Sequence, residues 1–433
     1  MHLIYKVANW TPKTRFYYGW IAIAVGALGT YAATGGAQVT LAGIQTLILD
    51  DTGWSRSTVA LGVTIGTWTA GLLTPIFGKI ADRSGPRIVM AFAAITTGAC
   101  FIWIGGMSTI WHFYVAYIIA RGLGNPALIG VVPRTVAVNF FRRRRNLALG
   151  LVSMARPCFG AINVQLVTFI AMWSSWRHAY RMLGVYSIIL SIPLLILMRR
   201  RPEDIGLLPD GDSQKESTSS PTKKIGGTKE EYHVTECSWN ANQAARSTTL
   251  WVIISAEFLI ILTSGTIGFQ LVPYLTDSGM SIRSAAAAWS LSSLLNAFAN
   301  PFWGILADKY SPRTLILSAI PLCLFVTSLF LLVSGGAATF TCVAIWGATS
   351  GGLNVLGGMI IANYYGREHF GTISGIMGPF QTCGLGLGPI LGALILNVEG
   401  GYRTLFFFAI AAYITAIGLF ILARKPKRRI CRC

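Results

Sequence analysis

Charge is what this 433-residue chain has least of. Acidic and basic residues together make up 12% of it, about half of what a soluble globular domain carries. The shortage is regional. No Asp, Glu, Lys or Arg occurs in Gly19–Leu49, Ser57–Gly78, Ile88–Ala120, Ser284–Ala307 or Thr314–Gly366. Runs of this length exclude an ordinary soluble fold, because about 20 apolar residues in a helix span a bilayer core of roughly 30 Å. They also lack the alternation of a barrel strand, which leaves helices as the way to satisfy the backbone in lipid. Further absences narrow the function. There is no Gly-x-x-x-x-Gly-Lys loop, so energy must come from gradients rather than ATP. The eight cysteines show no zinc or redox spacing; Cys100, Cys323, Cys342 and Cys383 sit singly in apolar stretches and read as packing residues. No nucleophile–base pair or metal cluster is visible, so neither an enzyme nor a cofactor is expected. Nor is a cleavable signal peptide: Trp10, Pro12, Lys13 and Arg15 precede a first helix too long to be one.

What is present is an all-α membrane pattern of twelve helices, at about 19–42, 57–79, 88–106, 112–139, 147–170, 182–198, 248–273, 284–306, 314–333, 338–362, 371–395 and 404–423. Gly105-Gly106 and Gly335-Gly336 divide the two longest charge-free runs. The net charge of +19 is distributed by side. With the N-terminus inside, 27 of the 35 lysines and arginines fall in inner loops and tails; Arg56, Arg177, Arg181, Arg283 and Arg403 fall outside. That is the positive-inside pattern. The runs Arg142–Arg145, Arg199–Arg201 and Lys427–Arg429 are therefore topology signals rather than a nucleic-acid patch, with anionic lipid contact in addition. The expected location is the cell inner membrane, multi-pass, with both termini cytoplasmic. The expected partners are a small solute and the bilayer, and the expected state is a monomer.

One long polar stretch, 199–246, reads as a cytoplasmic linker; within it Ser213–Thr222 is rich in Ser, Thr and charge. It separates a first six-helix bundle (1–198) from a second with a basic tail (247–433). The two match each other. Gly78-Lys79-Ile80-Ala81-Asp82-Arg83-Ser84-Gly85-Pro86-Arg87 returns as Gly304-Ile305-Leu306-Ala307-Asp308-Lys309-Tyr310-Ser311-Pro312-Arg313, an offset of 226. Asp51-Thr52-Gly53 against Asp277-Ser278-Gly279, and Trp176-Arg177 against Tyr402-Arg403, keep that offset. Asn139-Phe140-Phe141 against Asn363-Tyr364-Tyr365 and Gly150 against Gly375 fall at 224 and 225. Six is even, so both halves enter from one side, related by an axis along the membrane normal with the solute site between them.

These residues resemble the major facilitator superfamily over nearly the whole chain. Its signature Gly-x-x-x-Asp-Arg-x-Gly-x-Arg is complete at Gly78, Asp82, Arg83, Gly85 and Arg87; the second copy keeps Gly304, Asp308, Lys309 and Arg313 but has Ser311 for the second glycine. The resemblance implies two pseudo-symmetric bundles working by alternating access. The motif is expected to gate: glycine lets helices approach, and Asp82 beside cationic partners holds the inner gate shut. Its alternative is a tight turn that only anchors topology.

Four ionisable residues interrupt the helices: Arg121, Arg134, Arg156 and Glu257. Each costs about 2.5–3.5 kcal/mol at a bilayer centre and should face a cavity or a partner. Arg121, in Arg121-Gly122-Leu123-Gly124, is similar to the superfamily's second motif, which is linked to proton coupling; a hydrogen-bonded structural arginine fits equally. Arg134, two turns before Arg142, is expected to snorkel to the interface. Arg156 is about ten residues into helix five, roughly 15 Å by helix rise, and is followed by Pro157. Its repeat equivalent is Gln381, so the two are expected to clamp an anion across the cavity, a guanidinium fork suiting a carboxylate. A structural ion pair is the alternative. Glu257, the one acid within the helices, is either a proton-exchange site or the neutraliser of an arginine. Tyr31, Gln38, Asn125, Gln270, Asn296, Asn300 and Asn354 could line a solute path or join helices.

Tyr18-Gly19-Trp20 and Arg199-Arg200-Arg201-Pro202-Glu203-Asp204-Ile205-Gly206-Leu207-Leu208-Pro209-Asp210 resemble bacterial oxalate/formate- and monocarboxylate-type carriers. The resemblance implies a secondary transporter of a small organic anion, by proton symport or by exchange (antiport). Yet Asn300 stands where that type has an arginine in helix eight, and the lysine of helix eleven is absent; Arg156 and Arg121 would supply the anion-binding charge instead. The alternatives are a proton-coupled exporter of hydrophobic or cationic drugs and a sensor of the same fold that binds without transport.

Overall fold

The structure, a computed structural model, describes residues 16–211, 239–332, 336–396 and 401–426. The Ser213–Thr222 stretch, the run Lys427–Arg429 and the side chain of Gln38 lie outside the described residues. Among the described residues there are helices and turns but no strand. In chain order the spans are α1 (Tyr18–Thr34, continuing as Gln38–Thr52), α2 (Arg56–Ser84), α3 (Pro86–Ile104), α4 (Ile110–Gly124, then Asn125–Ile129 and Val131–Phe140), α5 (Arg145–Trp173) and α6 (Trp176–Leu197). The second set is α7 (Thr248–Asp277), α8 (Ile282–Lys309), α9 (Pro312–Leu329), α10 (Gly336–Tyr365), α11 (Phe370–Gly375, then Met377–Leu396) and α12 (Tyr402–Leu422).

Ten of the twelve are long and apolar enough to cross a membrane by length and composition alone. The other two have local reasons. α1 is not the single rod expected at 19–42. It breaks at Gly35–Ala37, where Phe101 lies against Gly35 and Gly36 in the space a side chain would fill. α8 has 28 residues, but Ser284, Ser290, Ser292, Ser293, Asn296 and Asn300 dilute its hydropathy. α4 contains a π turn at Asn125–Ile129. Pro126 lacks the amide hydrogen a regular turn would use there, and the Gly130 amide reaches back to the Asn125 carbonyl at 2.7 Å. Such turns cluster at functional positions.

The sequence repeat is a repeat of contacts. Asp51 accepts from Trp176 Nε1 at 3.1 Å and pairs with Arg177 at 3.0 Å; Asp277 accepts from the Tyr402 hydroxyl at 2.7 Å. Arg87 donates to the Leu195 carbonyl that ends α6 at 2.5 Å. Arg313 donates to the Ile421 carbonyl that ends α12 at 2.7 Å. A cation over the last carbonyls of a helix meets its negative pole. The loss of the signature's second glycine in the second copy also has a cause. Gly85 turns at φ +82°, where a side chain is strained. Ser311 takes ordinary extended backbone, and its hydroxyl accepts from the Thr314 amide to cap α9.

Outward-facing apolar side chains such as Leu72, Ile88, Phe169 and Leu422 are more than half exposed, which lipid covers and water would not. Between the bundles, α5 packs on α8 and α2 packs on α11, the exchange a twofold repeat requires. α11 does not pack on α5 in this way.

Candidate functional site

At the end where the linker leaves, the two bundles are hydrogen-bonded together. Asp82 Oδ1 accepts from the Gly371 amide at 3.1 Å. Its Oδ2 accepts from the Thr372 amide at 2.6 Å and the Thr372 hydroxyl at 2.7 Å. Asp308 repeats this on the other flank, accepting from the amides of Asn146 at 3.1 Å and Leu147 at 3.3 Å. Each carboxylate therefore caps the first turn of a long helix in the opposite bundle: α11 for Asp82, α5 for Asp308. Those turns expose amides that their own helices leave unbonded, and the positive helix pole favours the anion. The glycines make the approach possible. A Cβ on Gly304 would stand 2.6 Å from the Asn146 carbonyl oxygen, and one on Gly150 would stand 2.6 Å from that of Asn300. A Cβ on Gly78 would collide with the Gly371 carbonyl.

Where cationic partners were expected for Asp82, hydrogen bonds hold it, and His369 acts on it only by its charge. Its carboxylate bonds to amides and a hydroxyl, and the Arg200 guanidinium reaches only its backbone carbonyl. Arg83 and Lys309 are exposed, and Arg87 and Arg313 brace helix ends within their own bundles. Additional bonds cross nearby: Arg145 to the Ala362 carbonyl at 2.8 Å and Asn363 to Asn146 at 3.2 Å. Arg367 pairs with Glu203 at 2.8 Å and donates to the Asn139 carbonyl at 3.2 Å. Glu203 belongs to the Arg199–Asp210 segment, which folds back under the first bundle, where Asp210 accepts from the Arg142 and Arg143 amides.

The in-helix charges lie deeper. Arg156 is exposed to open space although it stands near the middle of α5, and the charges of Arg121 and Arg134 both act on it. Arg121 is buried and donates to the Gly36 carbonyl at 3.3 Å, tying α4 to the break in α1. Arg134 is half-buried, and Glu257 and Arg156 both feel its charge. It thus works toward the space between the bundles rather than snorkelling outward. Glu257 is 1% exposed, and neither carboxyl oxygen has a hydrogen-bond partner. It presses on α10 at Gly357, where any Cβ would collide with the carboxyl group. Arg156 and Gln381 are not joined: no hydrogen bond links them, and α11 lies against α2 and α7.

A cavity of about 290 Å³ opens beside Pro157, the residue after Arg156. Otherwise its walls belong to the second bundle: Ile261, Ser264 and Gly265 of α7, Trp289, Ser292, Ser293 and Asn296 of α8, Trp346, Ser350 and Asn354 of α10, and Leu385 of α11. Of the polar residues anticipated as lining, Asn296 and Asn354 are among them. Asn300 is not; it is 4% exposed and its amide donates to the Asn296 carbonyl at 2.9 Å within α8. Gln270 packs against Gly392. Asn125 belongs to the π turn. Tyr31 stacks on Tyr186 with ring centroids 5.0 Å apart and lies 5.1 Å from Phe159, one turn beyond Arg156. Trp289 and Trp346, with centroids 6.4 Å apart, and the serines were not anticipated. Their only trace in the sequence is the run of small polar residues that makes α8 less apolar than its neighbours.

Two pseudo-symmetric six-helix bundles, latched at one end and with a cavity among the helices of the second, define a polytopic membrane transporter. The sequence matches the Major Facilitator Superfamily profile in two overlapping segments, residues 20–336 and 253–430, and the chain belongs to that family. The membrane sensor protein UhpC of Salmonella typhimurium is 25% identical over 385 residues, covering 86% of this chain and 85% of that one. The oxalate:formate antiporter of Oxalobacter formigenes is 23% identical over 386 residues, 88% and 86% of the two chains. Monocarboxylate transporter 2 of Rattus norvegicus is 21% identical over 365 residues, 80% and 71%. Among solved structures, FucP, a Major Facilitator Superfamily transporter in the outward conformation, superposes with a TM-score of 0.67 at 11% identity. The match covers 94% of this chain and 100% of FucP.

Proposed function

We propose that the chain is a secondary transporter of a small organic anion, working by alternating access with proton symport or exchange. The observation that carries this is the charge of the cleft. Arg156 is exposed, precedes the cavity-lining Pro157 and feels the charges of Arg121 and Arg134, and all three belong to the first bundle. The one acid away from the helix ends, Glu257, is shut away from solvent against Gly357. Like charges held together in a membrane are costly, and an anion arriving at Arg156 relieves them. A guanidinium offers that anion a planar pair of donors. The relatives named for oxalate, formate and monocarboxylates are in keeping with the reading.

In the same proposal Asp82 and Asp308 are the gate, and the structure is the state closed at the linker end. Topology follows the positive-inside count: linker and termini are cytoplasmic. Glu257 is the proton-exchange site, because a carboxyl group with no hydrogen-bond partner and one distant cation, Arg134, is stable in only one protonation state until the bundles move.

The test is uptake into proteoliposomes. Arg156→Ala should abolish anion transport, losing about a hundredfold or more, as expected for a charge-assisted contact of about 3 kcal/mol; Arg156→Lys should retain some of it. The second reading, a proton-driven exporter of hydrophobic or cationic compounds, is favoured by Trp289 and Trp346 in the cavity wall. Under it, Arg156→Ala leaves export intact. An anion that binds but never crosses would place the chain with the sensor among its relatives.

A further inference from the structure

We infer that the solute is an aromatic monocarboxylate bearing hydrogen-bonding ring substituents, with its carboxylate on Arg156 of the first bundle and its ring in the Trp289–Trp346 cavity of the second. This rests on the anion reading above and narrows it.

Size comes first. Small-molecule sites begin at about 300 Å³, and the cavity beside Pro157 has about 290 Å³. A two-carbon anion held at Arg156 would leave most of it unfilled, and an unfilled cavity gives up the contacts its walls could make. Charge comes second. The second bundle supplies no cation to the cavity wall, and its one charge away from the helix ends is the buried Glu257. The far carboxylate of a dicarboxylate reaching into the cavity would therefore find no cationic partner there, whereas a single carboxylate at Arg156 leaves the cavity uncharged.

The walls give the third point. Trp289 and Trp346 stand 6.4 Å apart at 33°, flat apolar surfaces suited to a ring in offset or edge contact. The same walls carry neutral donors and acceptors, Ser292, Ser293, Asn296 and Asn354. These are matched to hydroxyl, amino or heterocyclic nitrogen groups and not to a bare alkyl chain, which would leave them unbonded. Recognition is thus divided between bundles, charge on one and shape on the other. A solute reaching both would be released from one as they rock apart.

The experiment uses the purified full chain in proteoliposomes preloaded, in parallel, with labelled 4-hydroxybenzoate or with labelled oxalate. Exchange is driven by external 4-hydroxybenzoate, indole-3-acetate, oxalate, formate, the uncharged 4-hydroxybenzamide or a cationic dye. Expected is exchange with the two aromatic acids, at half-saturating concentrations at least tenfold lower than for oxalate or formate, and none with the amide. Trp289→Ala should raise that concentration for the aromatic acids about tenfold and leave the small acids unchanged; Trp289→Phe should restore it. Exchange of oxalate or formate in preference to the aromatic acids, abolished by Arg156→Ala and indifferent to Trp289→Ala, would overturn this inference and leave the anion transporter standing. Equal handling of acid, amide and cationic dye would overturn both.

Discussion

At the scale of single residues, the cleft separates two kinds of buried charge. Arg121 has a partner, the Gly36 carbonyl at 3.3 Å, so it holds the break in α1 whatever else it does. Glu257 has none, and its carboxyl group is 1% exposed. An ionised group left this way would carry an uncompensated desolvation cost of several kcal/mol, which a bound proton removes. The proposal therefore requires Glu257→Gln, an isosteric and permanently uncharged side chain, to fold normally in this state. It should exchange labelled solute across the bilayer at near the parental rate, but lose accumulation driven by a pH gradient. Side-by-side counterflow and gradient-driven uptake measure this; accumulation unchanged in the variant would remove Glu257 from the coupling. Residues of this kind are visible in a sequence because charge in an apolar run is rare. Their partners are not visible. Gly357, one hundred positions from Glu257, carries no mark of the carboxyl group it makes room for.

At the scale of helices, the seal at the linker end is a set of helix-end interactions rather than a charge cluster. The signature motif announces glycine and aspartate, and both turn out to serve close approach. What the motif omits is the other side. The amides that Asp82 bonds belong to Gly371 and Thr372, which have no distinctive spelling because any residue offers an amide. Likewise the expected Arg156–Gln381 clamp on an anion followed from equivalence in the repeat, and in this state the two side chains share no hydrogen bond. Here α5 packs on α8 and α11 on α2. The glycines give a sharp expectation. In Gly304→Ala the new Cβ would stand 2.6 Å from the Asn146 carbonyl oxygen, backbone against backbone, with no flexible group to yield. Overpacking of this sort costs about 1–3 kcal/mol, and only in the state where α8 and α5 touch. The variant should insert and fold. Its equilibrium should move about tenfold or more toward the state open at the linker end, with solute transport slowed. Accessibility of a single cysteine at Leu147, in the first turn of α5 beside Gly304, to a membrane-impermeant thiol reagent reports this; unchanged labelling would mean that α5 and α8 do not separate there.

At the scale of the whole molecule, the repeat was legible because it was written twice, and the structure turns the aspartate, arginine and glycine pairs at the helix ends into matched contacts. Asp82 caps α11 and Asp308 caps α5, on opposite flanks of the same cleft. If one rigid-body motion opens the linker end, both caps break in it together, and each adds its own free energy to the closed state. Substituting a cap typically costs about 0.5–2 kcal/mol. Asparagine keeps one acceptor oxygen but loses the charge that the helix pole favours. Asp82→Asn and Asp308→Asn should therefore each shift the equilibrium the same way, by a few-fold to about tenfold. Because the two sites share no partner, the double variant should shift it by the product of the two. Spin labels at Trp173 and Arg283, exposed at the opposite end on different bundles, read the motion as a shortening of their separation when the linker end opens. A double variant that moves the distribution no further than one single variant would mean that the two caps do not report one motion. The bundles would then separate flank by flank, against the twofold axis that the matched sequences imply.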